Sequence, residues 1–413
     1  MKFSAKKSMA APVLPDNPYQ RRAFLTRLGF ASAGLAFAGG LGGVAAAADL
    51  QEKRAAWQPF SDRKVRVGIV GYGYCRFGAE FGFQFHPNVE VVAVSDLIPE
   101  RRDGLMKACR CSKSYDSLEE LVKDPKIEAV FVATDAPSHA RHCIEALKHG
   151  KHVMCAVPCT FGSIEEGEQL LETVKKTGLK YMMAETSCYH AANHAMRCIY
   201  KAGGFGRLVY SEGEYYHYSP TPIPSYKGWR TGMPPLWYPT HSTAYYVGVT
   251  GQRFTSVSCI GFKGKFAAFQ PGANQYNNPF TDEIALFQTS EGGVSRMLMC
   301  MSVQGLVEET GRVYGERGWM EQMKYRGAME NLPDVSRPAL PPGVPEGGHG
   351  GSHGLLMQEF ISAIIQDRMP LVNIYQALAM TVPGIVAHQS ALKDGELMKI
   401  PQYDSPAVKP QGS

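Results

Sequence analysis

Two sets of residues in this 413-residue chain have the types and spacings to do chemistry. The first is Gly71-Tyr72-Gly73-Tyr74-Cys75, directly after the β-branched apolar run Val65–Val70, together with Asp96, 25 residues beyond Gly71. A glycine after a buried strand turns the chain tightly, and a second lets backbone N–H groups approach a pyrophosphate. A carboxylate at the tip of the next strand, Val89–Ser95, accepts hydrogen bonds from a ribose diol and repels a 2′-phosphate. The second set moves protons. His241 comes first, because an imidazole with an ordinary pKa of about 6.5 accepts a proton near neutrality. Tyr189 follows the strand Lys180–Ala184 and would donate to a substrate oxygen or position it. Tyr238 and His349 rank behind them. The alternative reading is a histidine that satisfies a buried carbonyl and tyrosines that only pack.

The glycine pattern is irregular. Arg76 stands where a third glycine belongs, and Gly78 comes two residues late. Arg76 reads equally as a phosphate contact or as a solvated arginine at a helix start.

These residues need elements to position them. From 63 to 186 the pattern alternates strand and helix. Ala129–Ala133, Lys151–Met154 and Lys180–Ala184 are apolar strand runs, and Leu118–Val122, Ala140–His149 and Glu165–Lys176 have helical spacing. That rhythm predicts an α/β fold, a doubly wound parallel sheet of the Rossmann kind, with ligands at the carboxyl ends of the strands. Thr134, His139 and Pro158 fall at those ends and are assigned to the cofactor pocket.

The segment after 186 reads differently. Gly213–Trp237 is crowded with aromatic residues, and Tyr215, Tyr226, Trp229, Arg230 and Trp237, with His349 from a later loop, are assigned to a sugar site. Aromatic rings stack on the apolar faces of pyranoses, and polar tips bond their hydroxyls. An aromatic core under a long loop is the competing explanation. Val209–Tyr218, Glu283–Ser290, Gly293–Val303 and Gly311–Met323 read as successive strands, with Trp319 and Tyr325 in the core. Pro333–Gly350 is a loop before a last helix, Leu355–Gln366.

The N-terminus reads as a targeting segment. Gln20-Arg21-Arg22-Ala23-Phe24-Leu25 is a twin-arginine pattern, followed by an apolar run and by Ala46-Ala47-Ala48 before Asp49. The expected organisation is a signal peptide at 1–48, a linker at 49–62, a dinucleotide domain at 63–186, a substrate and oligomer domain at 187–405 and a tail at 406–413. Export to the periplasm, with no membrane anchor after signal removal, follows from that reading. A charge of +5 sits partly in the leader, so nucleic-acid binding is not inferred. The ten cysteines do not match zinc spacings, and no metal is assigned.

The motifs Val-Gly-Ile-Val-Gly-Tyr-Gly, Val-Val-Ala-Val-Ser-Asp, Val-Phe-Val-Ala-Thr-Asp-Ala-Pro-Ser-His and Ala-Leu-Lys-His-Gly-Lys-His-Val occur here in order. In this the chain resembles the Gfo/Idh/MocA family of NAD(P)-dependent sugar oxidoreductases. The resemblance implies a C-terminal α/β domain with an open, mostly antiparallel sheet, often used for oligomer contacts. The family's Glu-Lys-Pro triplet is replaced by Ala156-Val157-Pro158, and Trp237 stands in its Asp-x-x-x-His pattern. A narrower branch, the NAD-dependent redox-neutral glycosidases that include bacterial α-N-acetylgalactosaminidases, also lacks the lysine and has Val-Pro. That branch carries Tyr-Pro-Thr-His, intact here as Tyr238–His241, and a glycine-histidine loop like Gly348–Gly351.

Three functions stay open. One is oxidation of a carbohydrate's secondary carbinol with NAD, Arg101 and Arg102 leaving NADP possible. Another is redox-neutral glycoside hydrolysis with retained NAD. The third is a nucleotide-loaded sugar sensor without catalysis. A carbohydrate and a second copy of the chain, docked through the C-terminal sheet, are the expected partners.

Overall fold

The computed structural model describes residues 46–52 and 56–404. The twin-arginine segment and the tail at 406–413 lie outside the described residues.

A short strand, β1 (Ala46–Asp49), opens the described chain. Then come β2 (Val65–Val70), β3 (Val89–Ser95), β4 (Ser114–Tyr115), β5 (Ala129–Val132), β6 (His152–Cys155) and β7 (Tyr181–Met183). Among the described residues, β2 to β7 form a wholly parallel six-stranded sheet in the order β4-β3-β2-β5-β6-β7. Val65, Val67, Ile69, Val70 and the whole of β5 are buried, as strands covered on both faces require. Helices α1 (Phe77–Glu80), α2 (Pro99–Cys109), α3 (Leu118–Leu121), α4 (His139–Lys148) and α5 (Ile164–Thr177) connect them. Ser163 caps α5 by accepting from the Glu166 N–H, and Gly178 ends it at φ +66°. The order reverses at β2, which opens a crevice above its carboxyl end, where Gly71 lies.

The second half begins with α6 (Ala191–Lys201), β8 (Leu208–His217), α7 (Thr240–Thr250) and β9 (Phe254–Phe262). It continues with β10 (Asp282–Thr289), β11 (Val294–Cys300), β12 (Val307–Gly315), β13 (Gly318–Glu321) and β14 (Lys324–Gly327). Helices α8 (His353–Ile365) and α9 (Ile374–Ala391) and the strand β15 (Met398–Lys399) complete it. The described strands form a nine-stranded sheet, β1-β14-β13-β12-β8-β11-β10-β9-β15, antiparallel except where β8 pairs β11. One face packs on helices. The other is open, and β10 shows the alternation: Ala285 and Phe287 are buried while Ile284 and Leu286 are exposed.

Several expectations need correction. Leu355–Gln366 is followed by the longer helix α9. Nearly all of α9 is buried, so it carries no polar stripe to mark it as helical. The run Gly311–Met323 is not one strand, because the chain reverses between β12 and β13. Tyr325 is core, but Trp319 is 36% exposed and stacks on Tyr314 instead. The junction between expected signal and linker is itself paired: Ala46–Asp49 lies antiparallel to Lys324–Gly327. Glu52 then grips Arg337 through both carboxylate oxygens, at 2.7 and 3.2 Å.

Close approach seats helix α7. A Cβ on Gly213 of β8 would lie 2.0 Å from the Ser242 carbonyl oxygen. One on Gly311 of β12, the cross-strand partner of Gly213, would lie 2.2 Å from the Tyr245 ring. On α9, a Cβ at Gly384 would lie 2.1 Å from the Leu236 carbonyl oxygen. Three glycines thus let the start of α7, which carries His241, press between sheet and helix.

Candidate functional site: a cleft across the carboxyl ends of the parallel strands

A cavity of about 450 Å³ runs along the carboxyl edge of the parallel sheet. Gly71, Gly73, Tyr74, Cys75 and Asp96 line one end, Thr134 and His139 the middle, and Tyr226, Trp229, Arg230 and Tyr238 the other.

Each glycine in the loop has a separable role. Gly71 has φ +103°, and a Cβ there would lie 2.2 Å from the Ala133 carbonyl oxygen. A Cβ on Gly73 meets nothing within 4 Å, so this side is open to a ligand. A Cβ on Gly78 would lie 2.3 Å from the Gly71 carbonyl oxygen, so the late glycine supplies the close helix–strand packing. Arg76 is exposed, adopts φ 52° and lies over the Tyr72 ring.

Asp96 organises this end. Its Oδ2 accepts from the Tyr72 N–H at 2.7 Å and its Oδ1 from the Ile98 N–H at 2.9 Å. The carboxylate is thereby held at the cleft wall with lone pairs left for a diol. Tyr72 contributes this backbone contact, while its ring packs over Gly104 of α2. Leu97, Ile98 and Leu118 add apolar surface beside it. The open glycine, the fixed carboxylate and the apolar wall fit a dinucleotide.

The middle of the cleft is held by histidines. His139 sits between the Pro158 carbonyl (2.8 Å) and the Thr134 carbonyl (3.2 Å). Pro158 therefore braces His139, while Ala156 and Val157 line the cleft. Thr134 Oγ1 lies 2.9 Å from His142 Nδ1. Burial, with Arg141 adjacent, lowers His142 to about 4, so that ring is neutral.

Behind Tyr238 lies a buried group of charges. His241 Nδ1 is 2.9 Å from Glu185 Oε1 and 3.7 Å from Glu309 Oε2. Glu185 follows β7 and also accepts the Ser187 N–H at 2.8 Å. Glu309, on β12, accepts from Ser187 Oγ at 3.0 Å and lies 3.5 Å from His190 Nε2. Burial alone would lower His241, but Glu185 and Glu309 outweigh it and raise the ring to about 9. Burial alone would raise Glu185; the His241 charge, Thr240 and the Ser187 N–H hold it below the usual range. His241 is therefore an imidazolium at neutral pH, and the expectation of a free base there is corrected.

Tyr215 and Tyr238 pack against His241, with ring centroids at 4.7 and 5.6 Å. Burial pushes the Tyr238 hydroxyl up to about 12, against the opposing charge of Arg230, so it stays a donor. His349 stacks on His241 at 6.2 Å, from a turn whose Gly350 carbonyl accepts from Arg337.

Pro158, Tyr215, His241 and His349 stand behind the cleft lining, and two further sequence candidates lie elsewhere. Tyr189 is buried with its ring against His194 and beneath Arg197, away from the cleft lining. Trp237 packs among Phe161, Tyr276 and His388. Both pack as apolar anchors, Tyr189 buried and Trp237 partly buried. Glu185 and Glu309 were not singled out from sequence. Glu185 was legible, being the first residue past a parallel strand. Glu309 was not, because only the β8–β12 register brings it opposite Tyr215. All ten cysteines are unpaired.

The charge on His241 has a measurable sign. Its folded pKa lies above the ordinary value, so its contribution to stability is complete below about pH 6.5 and fades as pH rises toward 9. Ring-proton NMR should show His241 titrating near 9, and Glu309→Gln should lower that midpoint by about one unit. A wild-type midpoint near 6.5 would contradict the arrangement.

Residues 65–185 match the family model described as "Oxidoreductase family, NAD-binding Rossmann fold". A glycosyl hydrolase family 109 protein of Bacteroides fragilis is 35% identical over 162 residues, 37% of this chain and 35% of that protein. That match spans about a third of the relative's length. A namesake in Streptomyces filamentosus is 26% identical and aligns over 87% of this chain and 82% of its own. One in Saccharopolyspora erythraea is 23% identical over 96% of each. Among solved structures, levoglucosan dehydrogenase in complex with NADH and levoglucosan superposes with a TM-score of 0.68 at 17% identity. It covers 82% of this chain and 100% of its own. An NAD-binding oxidoreductase from Klebsiella pneumoniae gives 0.67 at 14%, over 82% and 100%. These superpositions show a shared fold. Residues 65–185 therefore form an NAD-binding Rossmann domain similar to that of the Gfo/Idh/MocA oxidoreductases.

Proposed function

We propose that this chain is an NAD-dependent enzyme that oxidises a secondary carbinol of a carbohydrate. One observation carries the reading: a single cleft joins the glycine loop and Asp96 to the aromatic wall of Tyr226, Trp229 and Tyr238. Bound NAD would supply the hydride acceptor. Gly73 leaves room for the pyrophosphate, Asp96 meets the ribose diol, and Arg101 on the same wall is what would admit NADP. Trp229 and Tyr226 offer ring faces to a pyranose. Ala156 and Val157 give the wall no proton donor. Loss of the hydroxyl proton needs an acceptor. We assign the donor to a substrate oxygen to His241, which holds its proton behind Tyr238, and the acceptor of the released proton to Glu309 beside it.

A second reading is redox-neutral glycoside hydrolysis, supported by glycosyl hydrolase relatives that align over 87% and 96% of the chain. A ketone made at C3 acidifies the C2 hydrogen, the C1 substituent leaves, water adds, and the carbinol is restored. The imidazolium of His241 suits that chemistry, because a cation beside the C3 oxygen stabilises the enolate.

Holoenzyme incubated with aryl glycosides separates the two. Aglycone release without net reduction of the nucleotide, with exchange of a C2 deuterium into solvent, identifies hydrolysis. Accumulating reduced nucleotide without aglycone identifies oxidation. A catalytic reading of either kind also expects His241→Ala to lose at least about a hundredfold in turnover; full activity in that variant would remove His241 from the chemistry.

We also infer export as a folded protein, from the twin-arginine pattern, and pairing of two copies through the open sheet face. Ile260, Ile284 and Leu286 are exposed on that face, and Ile260 pairs with Ile284. Among the described residues, no helix is long and apolar enough to cross a membrane. Fractionation followed by light scattering should find a dimer in the exported fraction. A monomer would remove the pairing, and retention in the cytoplasm would remove the export.

A further inference from the structure

We infer that the saccharide taken by this cleft carries an oxyanion, a carboxylate or a sulfate ester, and that Arg230 receives it. The inference rests on the carbohydrate reading and extends it by fixing the charge of the substrate.

Arg230 lines the main cleft and also a side pocket of about 20 Å³ walled by Tyr215, His217, Met233 and Met299. Its guanidinium lies 4.3 Å from the Trp229 ring centroid and 5.6 Å from that of Tyr238. Among the described residues it has no carboxylate within salt-bridge reach. Arg101 and Arg253 share that lack of a salt-bridge partner, whereas four other partly buried arginines are paired. Arg296 and Arg312 pair with Glu212 and Glu214, Arg337 with Glu52, and Arg368 with Glu359. The guanidinium lies against the Trp229 and Tyr238 rings and shares a hydrogen bond with the Tyr238 hydroxyl, and the donors left over are of the kind that meet an oxyanion through parallel hydrogen bonds.

The surrounding charges do not neutralise it. Lys227, next along the wall, lies over the Tyr226 ring and likewise has no carboxylate partner among the described residues. The carboxylates that line the cleft are at the nucleotide end and engaged there. Asp96 holds two backbone N–H groups, Asp135 accepts from Ser138, and Glu119 pairs with Arg141. Glu185 and Glu309 are taken by His241, Ser187 and His190. Of the residues that line the substrate end, Arg230 and Lys227 are cations and none is a carboxylate.

The loop is also built in advance. The Trp229 carbonyl accepts from the Tyr276 hydroxyl at 2.7 Å, and the Arg230 N–H donates to Ser225 Oγ at 3.1 Å. Asn278 Nδ2 donates to the carbonyls of Gly232 and Met233, each at 3.2 Å. Gly232 has φ +61°, and a Cβ there would lie 2.4 Å from the Ala268 carbonyl oxygen. A loop so held keeps the guanidinium in place before any ligand arrives, so little ordering cost is left for binding.

The test titrates matched sugars into the nucleotide-loaded full-length protein and follows binding by calorimetry. Glucose, galactose and mannose are each compared with their uronic acid and their 6-sulfate. At least one acidic member should bind about tenfold tighter than its neutral parent, or more, with the advantage shrinking as salt rises. The uronate and sulfate arms show which oxyanion fits. Arg230→Gln should abolish the preference while nucleotide content stays at the wild-type level. Equal binding of neutral and acidic sugars would leave the carbohydrate reading standing and overturn this inference. A preference that survives Arg230→Gln would overturn the assignment to Arg230. No sugar binding by protein that holds its nucleotide would remove the carbohydrate reading itself.

Discussion

One buried imidazolium is held by a carboxylate from each half of the fold. His241 enters from helix α7, Glu185 from the end of the last parallel strand, and Glu309 from the second sheet. A buried charge without partners is costly, and removing one member of a buried pair costs about 3–5 kcal/mol in general. The site therefore requires both halves to close on each other in a single register. Ser187 reinforces it, since its N–H serves Glu185 and its hydroxyl serves Glu309. The same charge sets the chemistry, because a proton already on His241 makes that ring a donor and leaves acceptance to the carboxylates.

The glycines make this geometry possible. Gly213, Gly311 and Gly384 remove the side chains that would hold α7 away from the sheet and from α9. Gly71 and Gly78 do the same at the nucleotide end, where strand, loop and helix converge. Between these two tight places the cleft stays open. Its nucleotide end is polar and held by backbone contacts to Asp96, and its far end is aromatic and cationic. That division lets one cavity hold two chemically different ligands side by side.

Much of the nucleotide half was legible in the sequence. The β-branched runs, the paired glycines and the aspartate 25 residues on state a local logic of turn, approach and diol recognition. Gly78 was visible as an irregularity, and its function emerges only when its Cβ position is seen against Gly71. The second half was harder. Helices α7 and α9 are buried almost all round, so they show neither helical stripe nor strand alternation. Tyr189 and Trp237 looked functional because aromatic residues near a site resemble aromatic residues in a core. Burial among Arg197, His194, Phe161 and Tyr276 separates the two cases, and spacing cannot. Glu309 owes its place to strand register, which is a non-local property.

Hydride transfer between a sugar carbon and the nicotinamide is common to both catalytic readings, so it is the step to observe. The measurement incubates holoprotein with a panel of hexosides deuterated at C3, quenches it by denaturation in mid-turnover, before the hydride returns to the sugar, and examines the released nucleotide by mass spectrometry and NMR. The account predicts deuterium at C4 of the nicotinamide with at least one sugar, and loss of that label in His241→Ala. Nucleotide that stays unlabelled across the panel, or protein that releases none, would contradict it.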